Sequence, residues 1–263
     1  MFYNNIDPVF LHIGPFYIRY YGLIFALGLF FSFMILRSLA RKRQLPLTNR
    51  DFDELLLLIS LGVVVGARLG AVLSNLSYYA SNPSQIIAVW NGGMAFHGGF
   101  AGLVLVGYFF AKKKKISFYD LADIAVIPAA LALAFGRVAN FINGEFYGAV
   151  TSLPWGVKFQ GVDGFRHPVQ IYEAIKNFLI FAVLWQLRNK ALPKGFLFWL
   201  FVFLYGAIRF PLEYLKVVPK FAFGLTWGQV WCIPMVIVGA FMLWKIFSHK
   251  KVAALAAVPE RKA

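Results

Sequence analysis

The chain has 263 residues, of which 60% are hydrophobic and 18% aromatic, and its formal net charge at pH 7 is +15. A water-soluble domain of this length does not need so large an apolar fraction, and no long polar stretch is left to fold separately. We therefore expect a single polytopic membrane domain over residues 1–263, an all-α helical bundle, rather than a soluble protein.

Seven apolar segments are long enough, or nearly long enough, to cross a hydrocarbon core that takes about 20 helical residues. In chain order they cover residues 17–36, 54–73, 94–111, 119–135, 171–187, 196–208 and 228–247. The sixth segment is short, and the fourth contains Pro128. Residues 86–90 are open to two interpretations, a re-entrant turn or an interfacial turn.

Basic residues gather after every second segment, at 37–50, 112–115, 188–194 and 245–262, whereas residues 75–93 contain no Lys or Arg. The positive-inside rule then predicts seven transmembrane helices with the N-terminus outside and the C-terminus in the cytoplasm. This distribution accounts for the net charge without nucleic acid, and we interpret the lysines at 112–115 as an orientation anchor. Short extracytoplasmic elements are expected around 75–93 and 137–170.

Two further observations bound the class of protein. The first sixteen residues contain no Lys or Arg, so we expect no cleaved signal peptide. Cys232 is the only cysteine, which excludes an internal disulfide and a CxxC metal site.

Polar side chains recur at the outer end of several segments, and with seven spans they share one depth. This layer predicts a pocket between helices, although each member has a simpler interpretation by itself. Arg68 is either a snorkelling anchor or part of an ion pair, and Tyr21 is typical of an aromatic belt. Arg209 and Glu213 are four residues apart and pair on a helix. The remaining simple interpretations are an interfacial histidine at His97, a helix start at His167 and close helix packing at Gly62, Gly66 and Gly70.

The densest polar stretch, 136–148, reads Gly-Arg-Val-Ala-Asn-Phe-Ile-Asn-Gly-Glu-Phe-Tyr-Gly and follows an apolar segment directly. A charge facing lipid at mid-span costs about 2.5–3.5 kcal/mol, so this stretch predicts a polar pocket at the membrane surface. Glycines on both sides of His97 permit close backbone approach. Guanidinium groups at Arg137 and Arg209 suit phosphate oxygens, and a phospholipid is the phosphate carrier at this depth.

Five motifs run in order along the chain: Tyr21-Gly22, Phe96-His97-Gly98-Gly99, Gly136-Arg137-x-x-Asn140-Phe141-x-Asn143-x-Glu145, His167-Pro168-x-Gln170-x-Tyr172-Glu173 and Tyr205-Gly206-x-x-Arg209-x-x-x-Glu213. In these motifs, and over nearly its whole length, the chain resembles the bacterial phosphatidylglycerol–prolipoprotein diacylglyceryl transferase family. The run 137–148 is the most specific part. The loop between Gly148 and His167 is shorter than in some relatives, and Lys216 stands where an arginine is expected.

The resemblance implies a transferase of the bacterial cytoplasmic (inner) membrane whose active site faces the extracytoplasmic leaflet. It implies transfer of a diacylglyceryl group from phosphatidylglycerol to the lipobox cysteine of a prolipoprotein signal peptide. Within the lipid bilayer we expect a monomer, with no metal, no cofactor and no nucleic acid. The implied catalytic residues are His97, Arg137 and Arg209, and the implied substrate-binding residues are Tyr21, Gly98, Gly99, Asn140, Asn143, Glu145, Gly148, His167 and Glu213.

His97 is the candidate base for the substrate thiol, because an imidazole ordinarily titrates near neutral pH; the sequence leaves open other groups for this step. Two other classes of function are also open. A transporter or channel needs polar residues through both membrane halves, but the inner halves of the third, fifth and seventh segments are nearly purely apolar. A structural membrane protein needs no shared polar layer.

Overall fold

The computed structural model describes residues 2–14 and 16–256, without the side chains of Phe96, Ala222 and residues 249–256. Most of the described chain is helical. The helices are α1 Tyr20–Lys42, α2 Asn49–Ser74, α3 Leu76–Ser81, α4 Phe96–Lys113, α5 Phe118–Ile142, α6 Val169–Leu187, α7 Phe196–Leu212 and α8 Trp227–Ala256. Each of the seven predicted apolar segments coincides with one of these helices, and α3 is an addition within the 75–93 segment.

Five stretches of the described chain are long and apolar enough to cross a membrane: α1, α2, α5, Phe196–Leu215 and Trp227–Ser248. The helices α4 and α6 lie outside this set. α4 has 18 residues and ends on two lysines, and α6 carries Glu173 and Lys176 among its apolar residues. The described chain is therefore mostly helical with five candidate membrane-spanning helices, and the seven-span topology stays a prediction.

Several helices continue beyond the apolar segments that predict them, and in two of them the extension contains candidate site residues. α5 continues past residue 135 to Ile142, and α7 continues past residue 208 to Leu212. Arg137 and Asn140, expected outside the fourth span, therefore lie on α5. The reason is that a polar side chain ends an apolar run without ending the backbone hydrogen bonds of the helix.

The described part of the structure contains four short strands, so the prediction of an all-α fold is wrong in this respect. β1 Phe2–Asn4 pairs in parallel with β4 Val157–Phe159, and β2 Val9–Ile13 pairs antiparallel with β3 Phe16–Arg19. The hairpin strands are apolar on both faces, so the period of two that reveals a half-buried strand is absent. β1 also contributes to α5, because the amide of Asn4 donates to the carbonyl of Phe141 at 2.7 Å.

The described chain divides into two compact units. Unit 1 comprises residues up to Leu36 and from Asp123 onward, and unit 2 comprises Arg37–Ala122. Unit 1 buries apolar side chains of α5, α6 and α7 completely, among them Ile124, Ile180 and Leu197. The carboxylate of Asp123 accepts from the backbone N–H groups of Gly195 and Phe198, both at 2.8 Å, and so caps the N-terminus of α7.

Unit 2 is built on close packing of α2 against α4. A Cβ atom added at Gly66 would meet the carbonyl of Gly98, and one at Gly70 would lie 2.9 Å from the Cα of Gly98. A Cβ atom at Gly102 would meet the carbonyl of Gly62. The small-residue series Gly62, Gly66 and Gly70 therefore packs two helices at backbone contact, as predicted.

The lysine cluster at 112–115 has local partners in unit 2. Lys113 Nζ lies 2.5 Å from Glu54, and Lys114 Nζ lies 2.5 Å from Asp51 and 2.8 Å from Glu54. The hydrogen bonds to Asp51 and Glu54 raise the pKa of Lys114 above its ordinary value, so this ammonium stays charged. These pairs are compatible with the predicted orientation anchor and do not test it.

Arg68 is a buried guanidinium that organises the segment before α4. It donates to the backbone carbonyls of Gln85, Ile86, Ala88, Gly92 and Gly93, and its guanidinium lies 5.3 Å from the ring centre of Tyr79. Both interpretations offered by the sequence are therefore replaced by a third, in which Arg68 satisfies the carbonyls of an irregular loop. Since carbonyls that are at least partly buried are costly to leave without donors, the loop depends on this side chain.

Replacing Arg68 with Ala should destabilise this loop by about 3 kcal/mol, because several charge-assisted hydrogen bonds are lost at once. Amide hydrogen exchange across 82–93 should accelerate while exchange in α5 and α6 stays unchanged. Arg50→Ala, at an exposed arginine on the same helix, is the matched control. Unaltered exchange in Arg68→Ala would show that the loop is held by other contacts.

Candidate functional site

The end of α5 folds its polar residues onto one another. Gly144 has φ +70°, a left-handed conformation that glycine adopts without strain, and its N–H donates to the carbonyl of Phe141 at 3.0 Å. The N–H of Glu145 donates to the carbonyl of Asn140 at 3.1 Å. Together these two bonds form a Schellman motif, which ends the helix and returns Glu145 to its last turn.

The returned carboxylate meets two side-chain amides. Glu145 Oε1 accepts from Asn140 Nδ2 at 2.8 Å and from Asn143 Nδ2 at 3.5 Å. The backbone carbonyl of Glu145 accepts from Gln170 Nε2 of α6 at 2.7 Å. We call Asn140, Asn143 and Glu145 the amide cluster. Asn143 Oδ1 is a buried acceptor without a hydrogen-bond donor among the described residues, so this cluster has capacity for a ligand hydroxyl.

Gly148 joins three segments that are far apart in sequence. Its N–H donates to the carbonyl of His167 at 2.9 Å, and the next N–H, of Ala149, donates to the carbonyl of Leu215 at 2.8 Å. A Cβ atom at Gly148 would lie 2.6 Å from the Leu215 carbonyl oxygen and 2.8 Å from the His167 Cβ. The absence of a side chain therefore allows the 137–148 run, the start of α6 and the segment after α7 to meet.

This junction brings Lys216 to a buried carboxylate on α6. Glu173 Oε1 lies 2.6 Å from Lys216 Nζ, and Glu173 Oε2 lies 3.0 Å from Lys176 Nζ and 3.7 Å from Arg137 Nε. Glu173 is 1% exposed. A buried carboxylate requires neutralisation, and cations from α5, α6 and the segment after α7 supply it here.

A second carboxylate continues the network. Glu213 Oε2 lies 2.8 Å from Lys216 Nζ and 3.5 Å from Arg209 Nε. The carboxylate fits against Gly228 at the start of α8, where an added Cβ atom would collide with it. The helix N-terminus favours a negative charge at this position. Lys216 therefore bridges both carboxylates and connects Arg209 to the Glu173 network.

The six charged side chains of this network form what we call the charged cluster: Arg137, Glu173, Lys176, Arg209, Glu213 and Lys216. Four cations and two carboxylates leave a formal charge of +2. The side chains of Arg137 and Arg209 are 25% and 21% exposed, whereas those of Glu173 and Glu213 are 1% and 5% exposed. The excess positive charge is therefore carried where a ligand can reach it, which favours an anion with several oxygens.

Tyr205 of α7 supports two of these cations. Its hydroxyl accepts from Arg209 Nη1 at 2.9 Å, and Lys176 Nζ lies 3.8 Å from its ring centre. An ammonium over an aromatic face is stabilised by the ring quadrupole, and more so when it is shielded from water. The conformation of Arg209 is thus held from two sides, by Tyr205 and by Glu213.

The other predicted site residues lie outside these two clusters. Tyr21 is exposed on α1 and stacks on Phe25 at 6.3 Å. His167 Nδ1 lies 3.3 Å from the hydroxyl of Tyr172, which accepts from Trp155 at 2.8 Å. The structure therefore groups Arg137 with Arg209 and Glu213, and Asn140 with Asn143 and Glu145, and connects His167 to this region through Gly148.

His97, Gly98 and Gly99 belong to unit 2 and form the first turn of α4. His97 is exposed, and α4 begins where the N–H of Ala95 donates to the carbonyl of Ala67 at 2.9 Å. Gly98 packs against Gly66 and Gly70, and Gly99 packs against Ala67 at 3.3 Å for an added Cβ atom. These contacts give both glycines a packing role, and the substrate-binding role implied for them stays a prediction.

Sequence reasoning left Glu173, Lys176, Tyr205 and Lys216 out of the site. Glu173 and Tyr205 stand in the recognised motifs, and Lys216 appears only as a departure from them. The sequence alone could have indicated that Lys176 pairs with Glu173. A charge inside an apolar helix must pair, and Glu173 is three residues earlier. Its position over Tyr205 required the packing of α6 against α7.

Residues 8–245 match the model of the prolipoprotein diacylglyceryl transferase family. The chain is 42% identical over 260 residues to the phosphatidylglycerol–prolipoprotein diacylglyceryl transferase of Geobacter sulfurreducens, covering 96% of this chain and 99% of that protein. Proteins with the same name from Nitratidesulfovibrio vulgaris strain DP4 and Bordetella parapertussis are 38% and 41% identical. These two matches cover 92% and 90% of this chain and 95% and 94% of the relatives.

Proposed function

Since the chain belongs to the prolipoprotein diacylglyceryl transferase family, we propose that it performs the first step of bacterial lipoprotein maturation. It transfers the diacylglyceryl group of phosphatidylglycerol to the thiol of the lipobox cysteine in a prolipoprotein signal peptide. The product is a thioether, and glycerol 1-phosphate is released. The observation that carries this proposal is the charged cluster, whose two most exposed cations are arginines suited to a lipid phosphate.

The reaction requires three changes at the substrates. The thiol gives up its proton, and the sulfur forms a bond to the glyceryl carbon that bears the phosphate ester. The bond between that carbon and the phosphate oxygen breaks, and its electron pair leaves with glycerol 1-phosphate. The protein must therefore accept one proton, stabilise a growing phosphate charge and align two membrane-borne substrates.

Arg137 and Arg209 are the proposed phosphate-binding residues. Each meets its carboxylate through Nε at a separation longer than a hydrogen bond, 3.7 Å for Arg137 and 3.5 Å for Arg209. In this geometry Glu173 and Glu213 orient the guanidinium groups, whose further N–H groups serve the phosphate. The charge that develops on the leaving group is thereby met by donors that are already oriented before the reaction.

The amide cluster is the proposed site for the glycerol headgroup. Asn140, Asn143 and Glu145 present amide and carboxylate groups that bind hydroxyls, and Asn143 Oδ1 provides an acceptor. Gln170 places this cluster one helical turn from Glu173 on α6. A headgroup hydroxyl and the phosphate of one lipid thus have complementary partners in Asn140 and Arg137, which are three residues apart on α5.

His97 is the proposed base for the lipobox thiol. An imidazole is the side chain best suited to accept a proton at neutral pH, and a thiol with an ordinary pKa of about 8.5 needs such help. Tyr21, Gly98, Gly99, Gly148 and His167 are proposed as further substrate-binding residues. Cys232 is buried within α8 and is not the proposed nucleophile.

The finer topology is also part of the proposal: a single membrane domain over 1–263 with seven spans, acting as a monomer in the cytoplasmic membrane. Its N-terminus and active site face the extracytoplasmic side. The charge distribution at 37–50, 112–115 and 188–194 supports this orientation. In a Cys232→Ala background, Ser84→Cys should react with an impermeant maleimide on intact cells, and Ser117→Cys only after permeabilisation; the reverse pattern would invert the orientation.

Purified protein in nanodiscs containing phosphatidylglycerol should add a diacylglyceryl group to a lipobox peptide, as read by mass spectrometry. A peptide with serine in place of cysteine should stay unmodified, because its hydroxyl is a far weaker nucleophile at neutral pH. Nanodiscs of phosphatidylcholine alone supply the lipid control. Cys232→Ala should transfer normally, and absence of thioether formation by the unaltered protein would refute the proposed function.

A further inference from the structure

Lys176 is a nearly fully buried cation that the reaction steps above do not use. It is 2% exposed, and its ammonium lies 3.0 Å from Glu173 Oε2 and 3.8 Å from the ring centre of Tyr205. Burying a lysine in an apolar helix is costly even when it is paired. Such a residue therefore needs a reason beyond helix packing, where an aliphatic side chain would serve better.

The distances within the charged cluster follow a consistent order. At Glu173 the two lysines lie at 2.6 and 3.0 Å, while Arg137 Nε is 3.7 Å away. At Glu213 the lysine lies at 2.8 Å, while Arg209 Nε is 3.5 Å away. Each carboxylate thus makes its short contacts with lysine and holds its arginine at a longer distance.

This order has an electrostatic consequence. A carboxylate neutralised by lysines at hydrogen-bond distance attracts the neighbouring guanidinium less strongly. The arginine is then oriented by the carboxylate while its charge stays available to another anion. Without Lys176, Glu173 would have only Lys216 and Arg137 as partners, and Arg137 would be drawn toward it.

We propose that Lys176 is a positioning residue, which neutralises Glu173 so that Arg137 retains its charge for the substrate phosphate. This inference rests on the proposed function for the identity of that phosphate. Tyr205 extends the effect, because its ring receives Lys176 and its hydroxyl holds Arg209. Lys176 therefore acts on both phosphate-binding arginines from behind the site.

The test uses three variants that change the formal charge of the charged cluster by known steps from +2. Lys176→Met lowers this charge to +1, Glu173→Gln raises it to +3, and the double variant returns it to +2. Inhibition by glycerol 1-phosphate, the proposed product, reports anion affinity in nanodiscs. We expect its inhibition constant and the KM for phosphatidylglycerol to rise about tenfold in Lys176→Met, with a smaller change in kcat.

Glu173→Gln should bind glycerol 1-phosphate more tightly than the unaltered protein, and the double variant should bind it within about threefold of the unaltered protein. Lys190→Met, at an exposed lysine after the end of α6, is the matched control and should change neither constant. If Lys176→Met does not fold, the affinities of the other two variants and of the unaltered protein for glycerol 1-phosphate are compared instead. Tighter binding by Glu173→Gln than by both the double variant and the unaltered protein would still support the role of Lys176.

A purely structural role for Lys176 predicts a lower melting temperature with unchanged KM and inhibition constant, and that result would overturn the inference. A double variant that binds no better than Lys176→Met would also overturn it. If the unaltered protein transfers no lipid but its binding of glycerol 1-phosphate follows the charge series, the proposed function fails and the role of Lys176 stands. If the unaltered protein transfers lipid but its binding of glycerol 1-phosphate does not follow the charge series, the proposed function stands and the role of Lys176 fails.

Discussion

His97→Gln should reduce diacylglyceryl transfer by about 10²- to 10⁴-fold at neutral pH, the range typical for loss of a general base. Gln keeps a polar side chain of similar size and cannot accept the thiol proton. The loss should shrink as the pH approaches 9, because a substrate thiol with an ordinary pKa of about 8.5 then ionises without help. A pH–rate comparison of the two proteins in phosphatidylglycerol nanodiscs measures both effects.

The control for this experiment is His12→Gln, since His12 is an exposed histidine that stacks on Tyr17 in the β2–β3 hairpin. It should transfer at the normal rate. Near-normal transfer by His97→Gln at pH 7 would remove His97 from the reaction. A loss that stays the same from pH 7 to pH 9 would assign it a role other than proton acceptance.

Arg137→Lys should lower kcat by about 10²- to 10³-fold, as loss of a transition-state hydrogen-bond donor does in other enzymes. The substitution preserves the charge and removes the planar fork, so the loss reports geometry rather than net charge. A lysine at this position also has one ammonium to share between Glu173 and the phosphate. Single-turnover transfer, with lipid in excess, separates this effect on chemistry from one on binding.

Arg188→Lys provides the matched control, because Arg188 directly follows α6, at the end away from Glu173, and donates to the carbonyl of Trp185. We expect it to transfer normally. An Arg137→Lys protein with normal kcat and normal KM would contradict the assignment of Arg137 to the phosphate. A raised KM with unchanged kcat would assign Arg137 to lipid binding alone.

Much of the helical framework follows from local sequence. Each apolar segment is helical in the structure. A single segment that crosses hydrocarbon satisfies its backbone hydrogen bonds internally only as an α-helix. Gly62, Gly66 and Gly70 predicted helix contact because their spacing leaves one face without side chains. The short strands were not predictable in the same way, since β1 pairs with β4 across more than half of the chain.

The candidate site also combines residues that the sequence indicates with contacts that only the structure shows. The sequence predicts Arg137, Arg209 and Glu213 as site residues, because polar residues beside apolar runs are few and their spacing matches a family. Arg68 was identified too, but its partners were not, because backbone carbonyls carry no signature in a sequence.

The sequence by itself determined the class of protein, its helices, its family and the residue types available to bind a phosphate. Only the tertiary structure decided which charges meet. Glu173 and Lys216 come from two separate segments, and they meet where Gly148 permits contact between the start of α6 and the segment after α7. The physical reason is that composition and periodicity are properties of neighbours along the chain, whereas charge neutralisation is a property of distances in space.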